Sequence, residues 1–377
     1  MQVFGPDELY ADVLEADLCI GCGACVDLCP YFRNHNGRTV RLFPCDLPQG
    51  RCYAFCPKAG VDLDLLSTQV WGKTYDGSPL GHYREVIAAR AGKKMMAGRF
   101  QGGGTVSALA AFALKTGVID AAILTGGEGA TPVARRVTGW KDVADCAGTK
   151  LMAAPTLAAL NVGVNAGDTR LGVIGTPCQM LAVAQMRGNP LAQENFTDPV
   201  ALAIGLFCNW ALDTRQLTVF LADKLDVSTI SGMDVPPPPA DVLIVTAGNR
   251  RVEIPLSEVR PLIPRTCFAC LDMTSEYADV SVGMFEGRPG WNTLIIRSAA
   301  GAGLIDRARD AGFLETAAMP ASNQTHLSDA AGAKKQRALR TLIRRDLIDN
   351  PIDSSGRHRS AVRMAPEIIE KIRGEAA

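Results

Sequence analysis

Apolar and polar positions follow different rules in different parts of the 377 residues. From Leu18 to Lys58 long apolar segments are few and turn formers are frequent, so the order of this stretch is expected to come from something other than a core of its own. From Ser67 to about Lys93, Gly, Pro and Tyr residues without clear periodicity read as a connector running over the surface. From Gly102 the pattern changes. Ser107 to Thr116 predicts a helix, and Ala121–Leu124, Leu171–Ile174, Val200–Phe207 and Val242–Thr246 predict short apolar strands. Such strands, separated by helical stretches, predict an α/β domain with a largely covered sheet, α+β being the alternative. The prolines at Pro236 to Pro239 mark a stiff break expected to separate two lobes. After about Met319 the chain turns polar and basic, and Lys334, Lys335, Arg337, Arg340, Arg344 and Arg345 fall in one predicted helix. That pattern reads as a solvated face in preference to a docking surface.

Charge narrows the function classes. Lys plus Arg equals Asp plus Glu at 39 each, so no broad basic field argues for nucleic acid or a membrane surface. Met1 to Asp17 carry five acidic residues and neither a basic nor an apolar leader region, which predicts a cytoplasmic protein. The most apolar stretches, Val106–Leu114 and Pro199–Leu212, fall short of the roughly 20 residues a membrane span needs, so no direct insertion is expected. Twelve cysteines in a reducing compartment point to metal or cluster ligands rather than disulfides.

Seven of the twelve cysteines lie between Leu18 and Lys58. Cys19-Ile-Gly-Cys22-Gly-Ala-Cys25-Val-Asp-Leu-Cys29-Pro30 has the C-x2-C-x2-C-x3-C-P spacing of bacterial ferredoxins. Three thiolates at that spacing wrap one cubane, Gly21 and Gly23 let backbone N–H groups approach its sulfides, and Pro30 turns the chain away. The fourth cysteine faces a neighbouring cluster. By the same logic Cys56, before Pro57, completes the first 4Fe-4S site with Cys19, Cys22 and Cys25. The second half, Cys45-x6-Cys52-x3-Cys56-Pro57, lacks one cysteine of the expected triplet. Cys29, Cys45 and Cys52 then remain for a second site: a 3Fe-4S cluster, or a 4Fe-4S cluster with a non-cysteine ligand such as Asp46 or water. One cluster with spare thiols, or a zinc knuckle, are the competing readings.

Beyond this module, Cys178 (Gly175-Thr176-Pro-Cys178-Gln) and Cys208 (Gly205-Leu-Phe-Cys208-Asn) each follow an apolar strand, and Cys267-Phe-Ala-Cys270 forms a close pair. Cysteines at strand ends converge above one sheet edge, and the pair would close a four-thiolate site. A buried cysteine after a strand is also an ordinary small core residue, so spacing leaves this third site open. Cys146 reads as structural. The run Arg99-Phe-Gln101-Gly102-Gly103-Gly104-Thr105 before the predicted helix suits a pyrophosphate, because glycines bend closely around an anion and helix N–H groups face it. It is neither a Walker loop nor G-x-G-x-x-G, so an ordinary loop is an equal reading. Clusters carry single electrons, and a flavin is the two-electron partner that would make them act on hydride donors. The four histidines, His35, His82, His326 and His358, show no metal-like spacing.

Together these residues resemble the family of beta subunits of the deazaflavin (coenzyme F420)-reducing hydrogenases and related formate dehydrogenases. The matching pieces are the ferredoxin-like run, Gln101 to Val106, Gly148-Thr-Lys150, Ile174 to Gln179, Gly205 to Cys208, Cys267 with Cys270, and Ala278 to Gly283. The resemblance implies that the main domain binds FAD and that Cys178, Cys208, Cys267 and Cys270 hold a 4Fe-4S cluster near it. It places Gln101, Gly102, Gly103, Gly104, Thr105, Lys150 and Thr176 at the flavin, with Lys150 either neutralising a phosphate, polarising the ring, or standing as a plain surface lysine. The implied protein has two or three clusters in all. It is an oxidoreductase subunit passing electrons between a larger redox partner (a hydrogenase, formate dehydrogenase or heterodisulfide-reductase-like subunit) and a soluble hydride coenzyme, deazaflavin or nicotinamide. Two alternatives stay open: a relay with no substrate of its own, and a ferredoxin-dependent reductase of a small organic ring. The expected division is a ferredoxin-like iron-sulfur module at residues 1–66, a connector at 67–93, an α/β FAD-binding and iron-sulfur domain at 94–320, and a basic helical tail at 321–377.

Overall fold

Leu171–Gly175 is buried at every position, a pattern that fits only a strand in the middle of a sheet covered on both faces. The computed structural model describes residues 3–95, 98, 100–128, 131–237, 239–348 and 360–374, and it places that strand in an eight-stranded sheet. In chain order the strands are β1 (Glu85–Ala91), β2 (Ala121–Glu128), β3 (Thr131–Val137), β4 (Leu171–Gly175), β5 (Val200–Leu206), β6 (Val280–Met284), β7 (Asn292–Ile296) and β8 (Leu314–Ala318). Their spatial order is β8-β1-β7-β6-β5-β4-β2-β3. The central four, β2, β4, β5 and β6, run parallel, and the flanking pairings are antiparallel. Arg99, Pro238 and His358 lie outside the described residues.

The period of two along β2 sorts the helices onto the two faces. Ala122 and Leu124 meet Leu109 and Phe112 of helix α1 (Thr105–Lys115) and Leu304 and Ile305 of α4 (Ala299–Asp310). Ala121 and Ile123 point the other way, to Leu157 and Leu160 of α2 (Thr156–Asn165) and Met180 and Val183 of α3 (Pro177–Arg187). The result is an α/β sheet with helices on both sides, the class expected from the sequence. A separate three-stranded antiparallel sheet, Ile230–Asp234, Val242–Ala247 and Arg250–Pro255, packs under the helix Thr214–Ala222 around Leu217, Leu221, Leu243 and Val245.

Three expectations change. Residues 67–93 are not a surface connector: they hold most of the helix Leu63–Trp71 and strand β1, which sits between β7 and β8 inside the main sheet. Pro236, Pro237 and Pro239 lie in the loop joining two strands that pair with each other, so they turn the chain within one small sheet and separate no lobes. The helix α5 (Ala321–Arg344) is no solvated tail, because Lys334 and Lys335 are 6% and 2% exposed.

That helix explains how the N-terminal module is held. Leu9, Val13, Leu18, Phe32 and Tyr53 share one core with Leu339 and Leu342 of α5 and with Met364 and Ile372 further on. Val61–Asp62 pairs in parallel with Val362–Arg363. The module therefore has an apolar core after all, built from both ends of the described chain. Among the described residues no helix is long and apolar enough to cross a membrane.

Candidate functional site

The loop of the first cysteines is shaped by glycine. Gly21 and Gly23 have φ of +71° and +88°, and a Cβ on Gly23 would stand 2.6 Å from the Pro155 carbonyl oxygen and 2.7 Å from the Ala158 nitrogen. Only glycine lets this loop lie so tightly on the start of α2. The contact is then fixed by hydrogen bonds. Leu157 N donates to Cys22 O at 3.1 Å, and Asn161 Nδ2 reaches the carbonyls of Gly23, Ala24 and Val26 at 3.3, 3.1 and 2.7 Å. Thr266 Oγ1 donates to Leu18 O at 2.6 Å, and Gln185 Nε2 to Cys56 O at 3.1 Å.

Cys19, Cys22, Cys25 and Cys56 line one pocket, whose other walls include Leu9, Val13, Leu14 and Ile20. Burial pushes the Cys22 and Cys25 thiols well up, and repulsion among these four cysteines adds to it. Cys56 is pushed up to about 12, again first by burial. Four thiolates in such an apolar cage are unfavourable unless cationic metal balances them. Among the described residues no three His, Cys, Asp or Glu side chains gather about a single-ion point. The four cysteines line the same pocket, and a 4Fe-4S cluster is held by four thiolates.

Cys29, Cys45 and Cys52 come together beside this site. Cys52 is raised to about 11 by burial, with Cys29 and Cys45 adding to the rise against backbone hydrogen bonding. Cys52 also acts on Cys25 and Cys56, so the two groups are neighbours.

The four scattered cysteines also converge. Cys178 opens α3, where Thr176 and Gln179 form a reciprocal cap: Gln179 Oε1 accepts from Thr176 N at 2.9 Å. Cys208 follows β5, its N–H donating to Met273 O at 2.9 Å. Cys267 and Cys270 come from the short 3-10 turn Arg265–Ala269 and the residue after it. Burial raises Cys178 to about 11, with Cys270 and Cys267 contributing. Cys208 is raised by burial against the pull of Lys334, with Cys267, Cys178 and Cys270 contributing. Cys178 also acts on Cys22, so this third group adjoins the first. The charges acting on Cys146 are Arg135, Asp145 and Lys150, none of them a cysteine.

The candidate nucleotide residues lie along the same sheet edge. The carboxyl ends of β1, β2, β4 and β5 and the start of β7 face one way, the side on which open α/β sheets bind ligands. Ala91 N, ending β1, donates to Gly103 O at 2.6 Å. Asn292, starting β7, accepts from Thr105 N at 3.3 Å through Oδ1. A Cβ on Gly103 would stand 2.7 Å from that same oxygen, so the bare glycine is what admits Asn292. Gly104, at φ +73°, ends the loop, and the Thr105 hydroxyl is buried with no hydrogen-bond partner among the described residues. Gln101 Oε1 accepts from Thr149 N at 2.8 Å, and its Nε2 donates to Asp234. This ties the loop bearing Lys150 to the glycine run. The Lys150 stem lies on Gly127, where a Cβ would stand 2.7 Å from Cε. Next door Thr125 Oγ1 meets Thr156 Oγ1 at 2.6 Å, and Gln179 Nε2 donates to Thr156 Oγ1 at 3.0 Å. Thr176 Oγ1 is 3.3 Å from Cys178 Sγ, at the carboxyl end of β4.

Residues not singled out from the sequence are Lys58, Asn161, Asn292 and Glu276. Lys58, 7% exposed, donates to Ala269 O at 3.3 Å between the first and third groups. A lone Asn or Lys carries no spacing signal. Only the Lys58 position directly after Cys56-Pro57 offered a hint.

Comparison with known proteins gives matches along most of the chain. Residues 13–31 match the 4Fe-4S binding domain, so the first cysteine run is an iron-sulfur segment. Residues 86–161 match the N-terminal part, and residues 168–322 the C-terminal part, of the coenzyme F420 hydrogenase/dehydrogenase beta subunit. Among curated relatives, coenzyme F420 hydrogenase subunit beta of Methanothermobacter thermautotrophicus is 28% identical over 242 residues, covering 63% of this chain and 85% of its own length. An F(420)H(2) dehydrogenase subunit of Methanosarcina mazei is 28% identical over 311 residues, covering 80% and 85%. Among solved structures, a chain of the F420-reducing NiFe hydrogenase complex from Methanosarcina barkeri superposes with a TM-score of 0.65 at 25% identity, covering 71% of this chain and 93% of that one.

Proposed function

This chain belongs to the family of coenzyme F420 hydrogenase/dehydrogenase beta subunits, and on that premise we propose that it is the electron-transferring subunit of a cytoplasmic oxidoreductase complex. It moves electrons between a larger redox partner and a hydride-accepting coenzyme, deazaflavin or nicotinamide, at a bound FAD. The observation that carries this reading is the continuity of the thiol groups. Cys52 acts on Cys25 and Cys56, Pro57 and Lys58 line both the pocket of the first group and that of Cys178 and Cys270, and Cys178 stands beside Thr176 at the carboxyl end of β4. In this reading Cys19, Cys22, Cys25 and Cys56 hold one 4Fe-4S cluster, and Cys178, Cys208, Cys267 and Cys270 hold another. Cys29, Cys45 and Cys52 hold a cluster with one position open to a non-cysteine ligand.

The glycine edge fits a dinucleotide. A Cβ on Gly102 or Gly103 would press on Asn292 and one on Gly104 on Phe100, so bare backbone leads into α1, where the Thr105 hydroxyl has no hydrogen-bond partner among the described residues. Lys150 brings positive charge to the neighbouring strand end. A flavin supplies the conversion between single electrons and hydride. The residues that would hold it are those of the glycine run with Lys150 and Thr176.

The test is anaerobic purification of the full chain followed by iron, sulfide and flavin assays, then turnover with reduced viologen and deazaflavin or nicotinamide acceptors. The expected result is iron and acid-labile sulfide, FAD released on heating, and reduction of one of the two coenzymes. Cluster-loaded protein with no flavin and no coenzyme turnover would replace this function with that of a pure relay.

A further inference from the structure

Lys334 is a buried cation whose acceptors are all main-chain oxygens. It is 6% exposed, and its Nζ donates to Cys208 O at 2.6 Å and to Asp272 O at 2.7 Å. Its neighbour Lys335 is buried too, yet it has a carboxylate at 2.8 Å in Glu276. Two carbonyls take two of the three ammonium protons without balancing the charge, and a buried cation is strongly unfavourable unless counter-charge lies close by. Of the four groups that act most strongly on it, three are cysteines of one site, Cys270, Cys208 and Cys267, and the other is the Asp272 carboxylate.

We infer that Lys334 is a positioning residue for the four-cysteine centre, serving as its buried counter-charge and setting its reduction potential. The inference rests on the reading of Cys178, Cys208, Cys267 and Cys270 as cluster ligands. A four-thiolate cluster is anionic when oxidised and more so when reduced, since reduction brings one electron, delivered by the adjoining centre, and no atom. A fixed cation stabilises the more negative state more, so it raises the potential. Lys58 cannot supply this distinction, because it acts on Cys56 of the first group as well as on Cys178 and Cys267 of the third. Lys334 acts on Cys208 and Cys267, biasing electrons toward the third centre.

The experiment is an EPR-monitored redox titration of the anaerobically purified full chain. The third centre's signal is assigned as the one that Cys270→Ser removes. Lys334→Met keeps the length of the side chain without its charge and is expected to weaken reduction of that centre at least tenfold, about 59 mV for a one-electron couple. The other signals should stay in place. Lys334→Arg should restore the wild-type potential. An unmoved potential in Lys334→Met, or an equal fall in both variants, would overturn the inference. If Lys334→Met loses the centre, retention at wild-type potential in Lys334→Arg supports it, while loss in both shows that shape and not charge is required. If Cys270→Ser removes no signal, the ligand assignment itself fails, a result distinct from a present but unmoved signal.

Discussion

Lys335 Nζ donates to Glu276 Oε1 at 2.8 Å with the two side chains 2% and 4% exposed. The same ammonium reaches Tyr75 Oη at 2.8 Å and Ser78 O at 2.7 Å. The pair therefore joins helix α5 to the segment that leads into β1 and to the loop after Cys270. Removing one partner leaves the other charge buried and alone, which costs about 3–5 kcal/mol. Lys335→Met is expected to lower stability by that amount in denaturant unfolding of the loaded protein. The double variant Lys335→Met/Glu276→Leu should recover much of the loss.

The same carboxyl gives a pH signature. Burial raises Glu276 to about 7, although Lys335 pulls the other way, while an unfolded glutamate titrates near about 4.3. Between those values the folded chain keeps a proton that the unfolded chain has released, so stability falls as pH rises through this window and is level above it. Glu276→Gln should flatten that slope. An equal slope in both proteins, measured by thermal unfolding at several pH values, would assign it to other groups.

Asn161 offers a prediction about lability. Its Nδ2 serves three carbonyls around the first cysteine loop from inside helix α2. Asn161→Ala leaves those buried acceptors short of a donor, at about 1–3 kcal/mol. Iron loss to a chelator, followed at the cluster absorbance, should be faster than in wild type.

Gly103→Ala separates the two cofactor classes. The new methyl would press on Asn292 Oδ1 and on the Ala89 carbonyl at 3.0 Å, deforming the glycine edge and leaving the cysteine groups alone. Flavin content should fall while iron content holds. Cys22→Ser should do the reverse to the iron of the first cluster, and Cys146→Ser should change neither.

The sequence was most readable where chemistry imposes spacing. Cys19 to Pro30 could be interpreted from the chain alone because a cubane dictates the intervals between its ligands. Leu171–Gly175 was legible as a strand because burial on both faces leaves it wholly apolar. Helix α5 was misread for an equally physical reason. Its buried positions Ala331, Lys334, Lys335, Ala338, Leu339 and Leu342 follow a clean helical stripe, but two of them are lysines whose partners lie far away in sequence. Strand β1 was hidden by the Gly- and Pro-rich residues before it, and the convergence of Cys178 with Cys267 and Cys270 depends on tertiary closure that no interval encodes.

The parallel pairing of Val61–Asp62 with Val362–Arg363 has a consequence for biogenesis. A nascent chain exposes the first cysteines early, yet the strand and helices that pack against their module are translated much later, and so distant a closure is slow. A fragment ending before residue 362 would lack the partner strand of Val61–Asp62 and leave the core around the first cysteines unfinished.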